Sequence, residues 1–562
     1  MTADALRRVA EDHWDTVLAA NPTMASVVGD HRFDDRLEDL SVEAEQALRR
    51  EWVSLRERLD RIPRDELSGD DRVTVGLLDS ELEDAITAID QRLVELQSDQ
   101  MTGFHVGLLQ SMSVIRASEP EQAERLVERF RKIPTALDQA AARYLAGAAD
   151  GRTPARICVD RALHIIDGYL KSPLLADIFV TFPGPEGWEG ESAWRDQLTE
   201  VARDVIRPAY QRLRDELADR LLPVARPDDQ CGLSWLADGP AIYATLVRSH
   251  TSLELAPEDI HAIGLDEVDH KLPAEYSETG LRLFGTGDVA EVFDRLRNDP
   301  DLRYREGGEI MADARRALEV AAAAMPDWFG RVPITPCTIE EVPAFLAADA
   351  PMAYYYPPAG DGSRGGVYYV NTHDPGKKNR YEAASVGFHE AIPGHHLQFA
   401  ISTELTGLPS FRRFSLRNTA YVEGWGLYAE RLAEEMGLYA NDLDRMGMLT
   451  ADSMRACRLV LDTGIHAMGW SRQKAIDFMV EHSTISVEEV TVEVDRYIGM
   501  PGQALAYKLG QREIFRLREA ARARLRDRFD IKGFHDTVLG SASVTLPILA
   551  TLVDDWVAGQ MR

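Results

Sequence analysis

Along most of this 562-residue chain apolar residues recur every three or four positions, the period of a helix with one buried face. The clearest case is REIFRLREAARARLRDRF, where Ile514, Leu517, Ala521 and Leu525 share one face of a highly charged run. A second helix is predicted from Ser486. Glu489, three residues on, completes a capping box, and Ile485 with Val490 forms a hydrophobic staple. Helical patterning runs from the start to about residue 340, broken by loops such as FPGPEGWEGES (182–192) and PDDQCGLSW (227–235). Between 337 and 372 the texture changes. AYYYPP and GGVYYVN flank the turn-rich AGDGSRGG, which predicts a small hairpin or edge-strand pair. Helical signals return beyond 380. The fold class expected is mainly α with a small β element, divided into a helical part over 1–336 and a chemistry-bearing part over 337–562 within one continuous structure.

The composition narrows the function. Hydrophobic residues make up 45% and charged residues 28%, so the chain can bury a sizeable core. The 93 acidic against 63 basic side chains give a formal charge of -30, which repels a phosphate backbone and excludes nucleic acid as a partner. Cys158, Cys231, Cys337 and Cys457 are scattered with no CxxC pair, so no disulfide framework or thiolate metal site is expected, and a reducing compartment fits. The first residues carry charges every few positions, and no stretch approaches the ~18 apolar residues of a membrane span. The expectation is a cytoplasmic protein without a membrane partner.

Three of the 14 histidines fall within GFHEAIPGHHLQFAI (387–401). The usual zincin signature places two histidines four apart on a helix, with a glutamate after the first, so that both imidazoles face one ion. Here Pro393 stands at that fourth position. Asn379 and Glu382 can start a helix that carries His389 and Glu390. Pro393 must kink, break or bulge it before the second histidine, so His395 and His396 both remain candidates for the second ligand. A third ligand should come from another helix. AYVEGWGLYAERLAEEMG supplies Glu423, and Glu430 seven residues on lies on the same face, placed to orient a ligand imidazole or to receive a substrate amine. Two imidazoles and one carboxylate leave a coordination position for water, which a hydrolase needs and a closed structural site lacks.

HEAIPGHHLQ, EGWGLYAE and MPGQALAYKLG together resemble a large bacterial family catalogued only as a domain of unknown function, which is itself similar to the carboxypeptidase Taq family of zinc peptidases. The likeness is strongest in the C-terminal half. In those carboxypeptidases the motif runs HExGHALY, and GHHLQ is similar to GHALY if AIP replaces one residue; that pairing favours His395. Their ligand glutamate, followed by another seven residues later, resembles Glu423 and Glu430. Their late YxLG motif resembles Tyr507, Lys508, Leu509 and Gly510. The resemblance implies a gluzincin-like zinc metallopeptidase, a largely helical body whose residues 1–336 form one wall of a deep groove with the metal at its floor, a peptide substrate and a possible homodimer.

On this reading zinc, or cobalt or manganese in the same site, is held by His389, His395 and Glu423, with His396 as the alternative imidazole. Glu390 is the general base. Tyr507, Tyr497 and His466 are candidate oxyanion donors, Tyr507 being favoured. Asp462 and His466, four apart, would face one way on a helix and form a pair near the site. GGVYYVN could align an extended peptide by edge pairing, with Arg364 or Tyr368 nearby, and Arg496 and Lys508 could bind a substrate carboxylate. Two alternatives from other classes remain: a metal-free peptide-binding or scaffold protein, suggested by the Pro-Gly insertion, and a metal-dependent hydrolase of a non-peptide amide or ester.

Overall fold

In the computed structural model, residues 2–343, 347, 351–360, 362, 364–415 and 417–562 are described. Helices account for 71% of the chain and strands for 3%. The expected helices form. Ile514, Leu517, Ala521 and Leu525 are all buried on Ala506–Leu525. Ser486 and Glu489 exchange the predicted capping-box hydrogen bonds, Glu489 N to Ser486 Oγ at 3.2 Å and Ser486 N to Glu489 Oε2 at 3.1 Å. Among the described residues no helix is long and apolar enough to cross a membrane.

Two compact units emerge, one of residues 1–242 with the short segments 469–473 and 498–500, the other of 243–468, 474–497 and 501–562. The first is a helical array around an aromatic core in which Phe130 meets Phe179 and Phe182 edge-on and Trp194 donates through Nε1 to the Ala123 carbonyl. The division falls at 242/243 rather than at the expected 336/337, because helices Pro257–Asp266 and Leu272–Phe284 pack on the later helix Asp442–His466. Gly264 gives the room for that packing, since a side chain there would meet Leu459 and Val460.

The second unit holds a three-stranded sheet of β1 (Cys337–Glu341), β2 (Ala353–Tyr356) and β3 (Gly366–Val370) in the order β1-β3-β2. The predicted antiparallel pairing of the two tyrosine-rich segments is present as β2 on β3, but β1 adds in parallel to the other side of β3. GGVYYVN is therefore the central strand. Both of its edges are occupied, so it cannot align a substrate by edge pairing, and Tyr368 is buried in the core behind it. Arg364 donates to the Pro357 carbonyl at 3.0 Å.

Five helices of this unit build the candidate site: α1 (Ala383–Glu390), α2 (His395–Glu404), α3 (Thr419–Glu435), α4 (Asp442–His466) and α5 (Ala506–Leu525). The glycines of the EGWG and KLG motifs have a packing reason. At Gly510 an added Cβ would lie 1.8 Å from the Ala420 carbonyl oxygen, and one at Gly424 would lie 2.5 Å from the Gly510 Cα, so α3 and α5 cross with their backbones nearly touching.

Candidate metal centre

The Pro-Gly insertion does what its chemistry requires. Helix α1 ends at Glu390, Ala391 leaves helical geometry, the Ile392–Pro393 peptide is cis, and a new helix starts at His395. The break is held on both sides. The His396 amide donates to the Ala391 carbonyl at 2.9 Å, and Trp425 Nε1 on α3 donates to the Pro393 carbonyl at 3.0 Å. Gly394 has no alternative, since a Cβ there would sit 1.9 Å from the His389 carbonyl oxygen.

This break decides between the two histidines. His395 faces His389, with ring centroids 4.7 Å apart and planes nearly perpendicular. His396 points to the sheet, where Nδ1 bonds the Tyr355 hydroxyl at 2.9 Å and Nε2 the Thr335 carbonyl at 3.1 Å. Burial holds the His396 imidazole down at about 4, so it stays neutral between these partners. Glu423 completes the group from α3. Its Oε2 lies 3.6 Å from His389 Nε2 and 3.4 Å from His395 Nε2, and the candidate ligand atoms of all three residues lie within 4.8 Å of one another. Direct N–H···O hydrogen bonds would be shorter, at about 2.9 Å. Ligand atoms around a tetrahedral centre at ~2.1 Å stand about 3.4 Å apart. Gly426, one turn after Glu423, leaves the space taken by the His389 ring, since a Cβ there would lie 2.7 Å from the ring carbon.

The electrostatics call for positive charge. Burial disfavours a charged His389, but Glu423, Glu430 and Glu390 override it and raise its pKa to about 10. Burial likewise pushes Glu423 upward, and the two imidazoles reverse this, holding its carboxyl well below the ordinary range. A proton on His389 thus fills an electrostatic deficit that a divalent cation would fill more fully. Glu430 does not join the three ligand atoms. Its Oε1 takes the other His389 nitrogen, Nδ1, at 2.8 Å, while Oε2 accepts from Ser385 Oγ at 2.5 Å. This carboxylate–imidazole pair fixes the tautomer that directs His389 Nε2 toward Glu423. The donor set and its spacing fit a divalent metal.

Glu390, the last residue of α1, is half-buried beside the three ligand residues. Burial raises its pKa, while His389 and His395 pull it down. Tyr507 stacks on the His389 ring, with centroids 6.4 Å apart and planes 23° from parallel. The other two candidate oxyanion donors are engaged elsewhere. Tyr497 donates to Glu493 Oε2 at 2.6 Å, and His466 Nε2 meets the Tyr497 carbonyl at 2.9 Å. Asp462 accepts from the Tyr243 hydroxyl at 2.6 Å and from the Gly502 amide, so it pins the turn that leads into α5 and Tyr507. Lys508 is locked to Asp452 at 2.5 Å and Glu267 at 3.3 Å. Arg496 reaches Gln503 at 2.7 Å, Glu493 at 3.2 Å and the Tyr507 hydroxyl at 3.3 Å.

Sequence reasoning missed Arg455 and Arg458 on α4. Their guanidinium carbons lie 5.8 Å and 4.4 Å from the Tyr507 ring centroid. The signal was two arginines one turn apart inside ADSMRACRLVLDTG, an otherwise small and apolar run. Ser385 was missed too, because a serine in the first turn of a short apolar helix carries no mark of what it will bind.

Among curated proteins none matches the chain. Several solved structures share its fold, two of them as follows. The "putative lipoprotein" of Colwellia psychrerythraea superposes with a TM-score of 0.92 at 27% identity, covering 100% of both chains. A "putative lipoprotein of unknown function" from Shewanella oneidensis gives a TM-score of 0.73 at 19% identity, covering 98% of this chain and 99% of the other. These neighbours overturn the cytoplasmic expectation. It rested on the charged first residues and on the lack of a spanning segment, and a lipid anchor requires no spanning segment. The family model described as "Bacterial protein of unknown function (DUF885)" matches residues 22–553, and the chain belongs to that family.

Proposed function

We propose that this chain is a zinc-dependent metallopeptidase in which His389, His395 and Glu423 hold the metal. The observation that carries the reading is the convergence of those three side chains, with ligand atoms within 4.8 Å of one another, beside a fourth residue, Glu390, next to His389 at the end of α1. The likeness of HEAIPGHHLQ, EGWGLYAE and the Tyr507–Gly510 segment to Taq-type carboxypeptidases supports the same assignment.

When bound, a divalent metal supplies Lewis acidity, which lowers the pKa of water and polarises a carbonyl group. The chain's own residues do the rest. Glu430 keeps the His389 ring in place through Nδ1. Glu390 takes a proton from the attacking water and delivers it to the leaving amine. Its burial raises its basicity above that of an exposed glutamate, as this role needs. The Tyr507 hydroxyl donates to the developing oxyanion, and the Arg496 guanidinium 3.3 Å away orients it. Trp425 holds the Pro393 turn, and so the spacing between the two histidines.

The test is Glu390→Gln, assayed on a peptide library alongside metal analysis. The variant should retain one zinc per chain and lose turnover by about three orders of magnitude or more. Wild-type-like turnover in that variant, or failure of the unaltered protein to take up zinc, contradicts the proposal. Hydrolysis of small amides or esters with no peptide cleavage would reassign the substrate class while leaving the metal site in place.

A further inference from the structure

Tyr507 stacks on His389, and the next residue along α5, Lys508, lines a cavity of about 600 Å³ that takes in none of the three metal ligands. Its size falls within the roughly 300–1,000 Å³ of small-molecule sites. Leu253, Leu255, Ile263 and Phe515 make an apolar part of the wall, and much of the remainder is charged.

The charges can be paired off in turn. Asp452 holds Lys508 and Arg431, both at 2.5 Å. Glu513 holds Arg516 through two bonds of 2.6 and 2.7 Å, and Glu519 holds Arg522 at 3.2 Å. Glu267 is the exception, because three cations meet it: Lys271 at 2.9 Å, Lys508 at 3.3 Å and Arg512. Arg512 is therefore surplus. Among the described residues it makes one hydrogen bond, from Nη1 to Glu267 Oε1, which leaves the other N–H groups of its fork without a protein acceptor. Its side chain is 37% exposed, so a ligand can reach it.

This lining selects its ligand. One surplus cation beside an apolar wall calls for one negative charge on an apolar body, whose burial supplies the hydrophobic part of the binding. The planar fork of arginine matches a carboxylate with two parallel bonds. A dianion such as a phosphate monoester would be left with excess negative charge beside Glu513 and Glu519. An ammonium group on the ligand finds no partner either, since each carboxylate of the lining already holds a cation.

We infer that the cavity is a second ligand site, distinct from the metal centre, which takes an apolar monocarboxylate of the fatty-acid kind, with its carboxylate on Arg512 and its alkyl tail against Leu253, Leu255, Ile263 and Phe515. The inference does not depend on the metallopeptidase reading.

The test is calorimetric titration of the full-length protein with octanoate, octanol, acetate and L-leucine, each with and without a metal chelator. Octanoate should bind at one site per chain, about 10-fold or more tighter than the other three, and equally well in chelator. Arg512→Ala should weaken octanoate by about the same factor and leave octanol unchanged, with Arg512→Lys recovering part of the loss. Leu255→Trp, which fills the cavity, should abolish binding. No binding of octanoate, equal affinity for octanoate and octanol, or unchanged affinity in Arg512→Ala or Leu255→Trp overturns the inference. Equal binding of acetate removes the apolar wall from it, and equal binding of L-leucine removes the exclusion of an ammonium group; either overturns the ligand class. Binding that vanishes in chelator places the carboxylate on a metal and overturns the site.

Discussion

Two buried charge clusters share helices α3 and α5, and they are neutralised in different ways. Around Asp452 the protein supplies its own cations. Lys508 and Arg431 meet Asp452 at 2.5 Å each, Arg431 and Arg445 meet Glu275 at 2.7 and 3.0 Å, and Lys508 reaches Glu267 at 3.3 Å. Around His389, three carboxylates, Glu390, Glu423 and Glu430, gather near two imidazoles. Among the described residues no lysine or arginine forms an ion pair with any of the three. The clusters are built from neighbouring positions: Glu430 belongs to one and Arg431 to the other, and Tyr507 and Lys508 divide in the same way. A helix turns about 100° per residue, so one helix can serve two sites of opposite character. The first cluster is complete as a protein. The second has ligand geometry and a deficit of positive charge, and this contrast is the physical case for a metal.

Breaking the closed cluster should have the largest effect on folding. Asp452→Ala leaves Lys508 and Arg431 buried with one carboxylate fewer, and we expect a loss of about 3–5 kcal/mol from the urea midpoint. A loss below about 1 kcal/mol would show that the network is not the self-sufficient element described. The open cluster should respond through the metal instead. Glu430→Ala frees the His389 ring, and calorimetric titration should show zinc affinity falling about 10- to 100-fold; unchanged affinity would remove Glu430 from the account. Asp462 sharpens the comparison as a third case, a buried carboxyl neutralised by a proton. Burial pushes it up to about 7, while hydrogen bonds from Tyr243 and the Gly502 amide oppose this. The folded state therefore holds a proton that the unfolded chain has already released near pH 4. That contribution is fully present below the unfolded pKa and is lost as pH rises through the folded one. Between pH 5 and pH 7.5 the wild type should lose stability relative to Asp462→Asn; a difference independent of pH would contradict the assignment.

Much of the fold could be read from apolar spacing alone, because long helices with one buried face leave a periodic record, as Ile514 to Leu525 do. The pairing of β2 with β3 was equally readable from the tyrosine-rich runs around a turn. The parallel partner β1 was not, since CTIEE carries no alternation strong enough to mark a strand, and its arrival turns an expected edge into a sheet centre. For the site, His389, Glu390, Glu423 and Glu430 were legible because helical period relates them to their neighbours. The choice between His395 and His396 was not fixed by spacing. A break in the helix cancels the angular argument, and only the position at which the second helix restarts decides which ring turns inward. Lys508 was misleading for a related reason. A basic residue beside Tyr507 looks available for a substrate, but its partner Asp452 lies 56 positions away in sequence, beyond any local pattern.

The central claim is that His389, His395 and Glu423 share one cation. Anomalous diffraction at the zinc edge from crystals soaked in zinc tests it most directly. The account predicts one strong peak at about 2.0–2.2 Å from an imidazole nitrogen of His389, one of His395 and a carboxylate oxygen of Glu423. An empty map at that position, or a peak bound by His396 with His395 turned away, would contradict it.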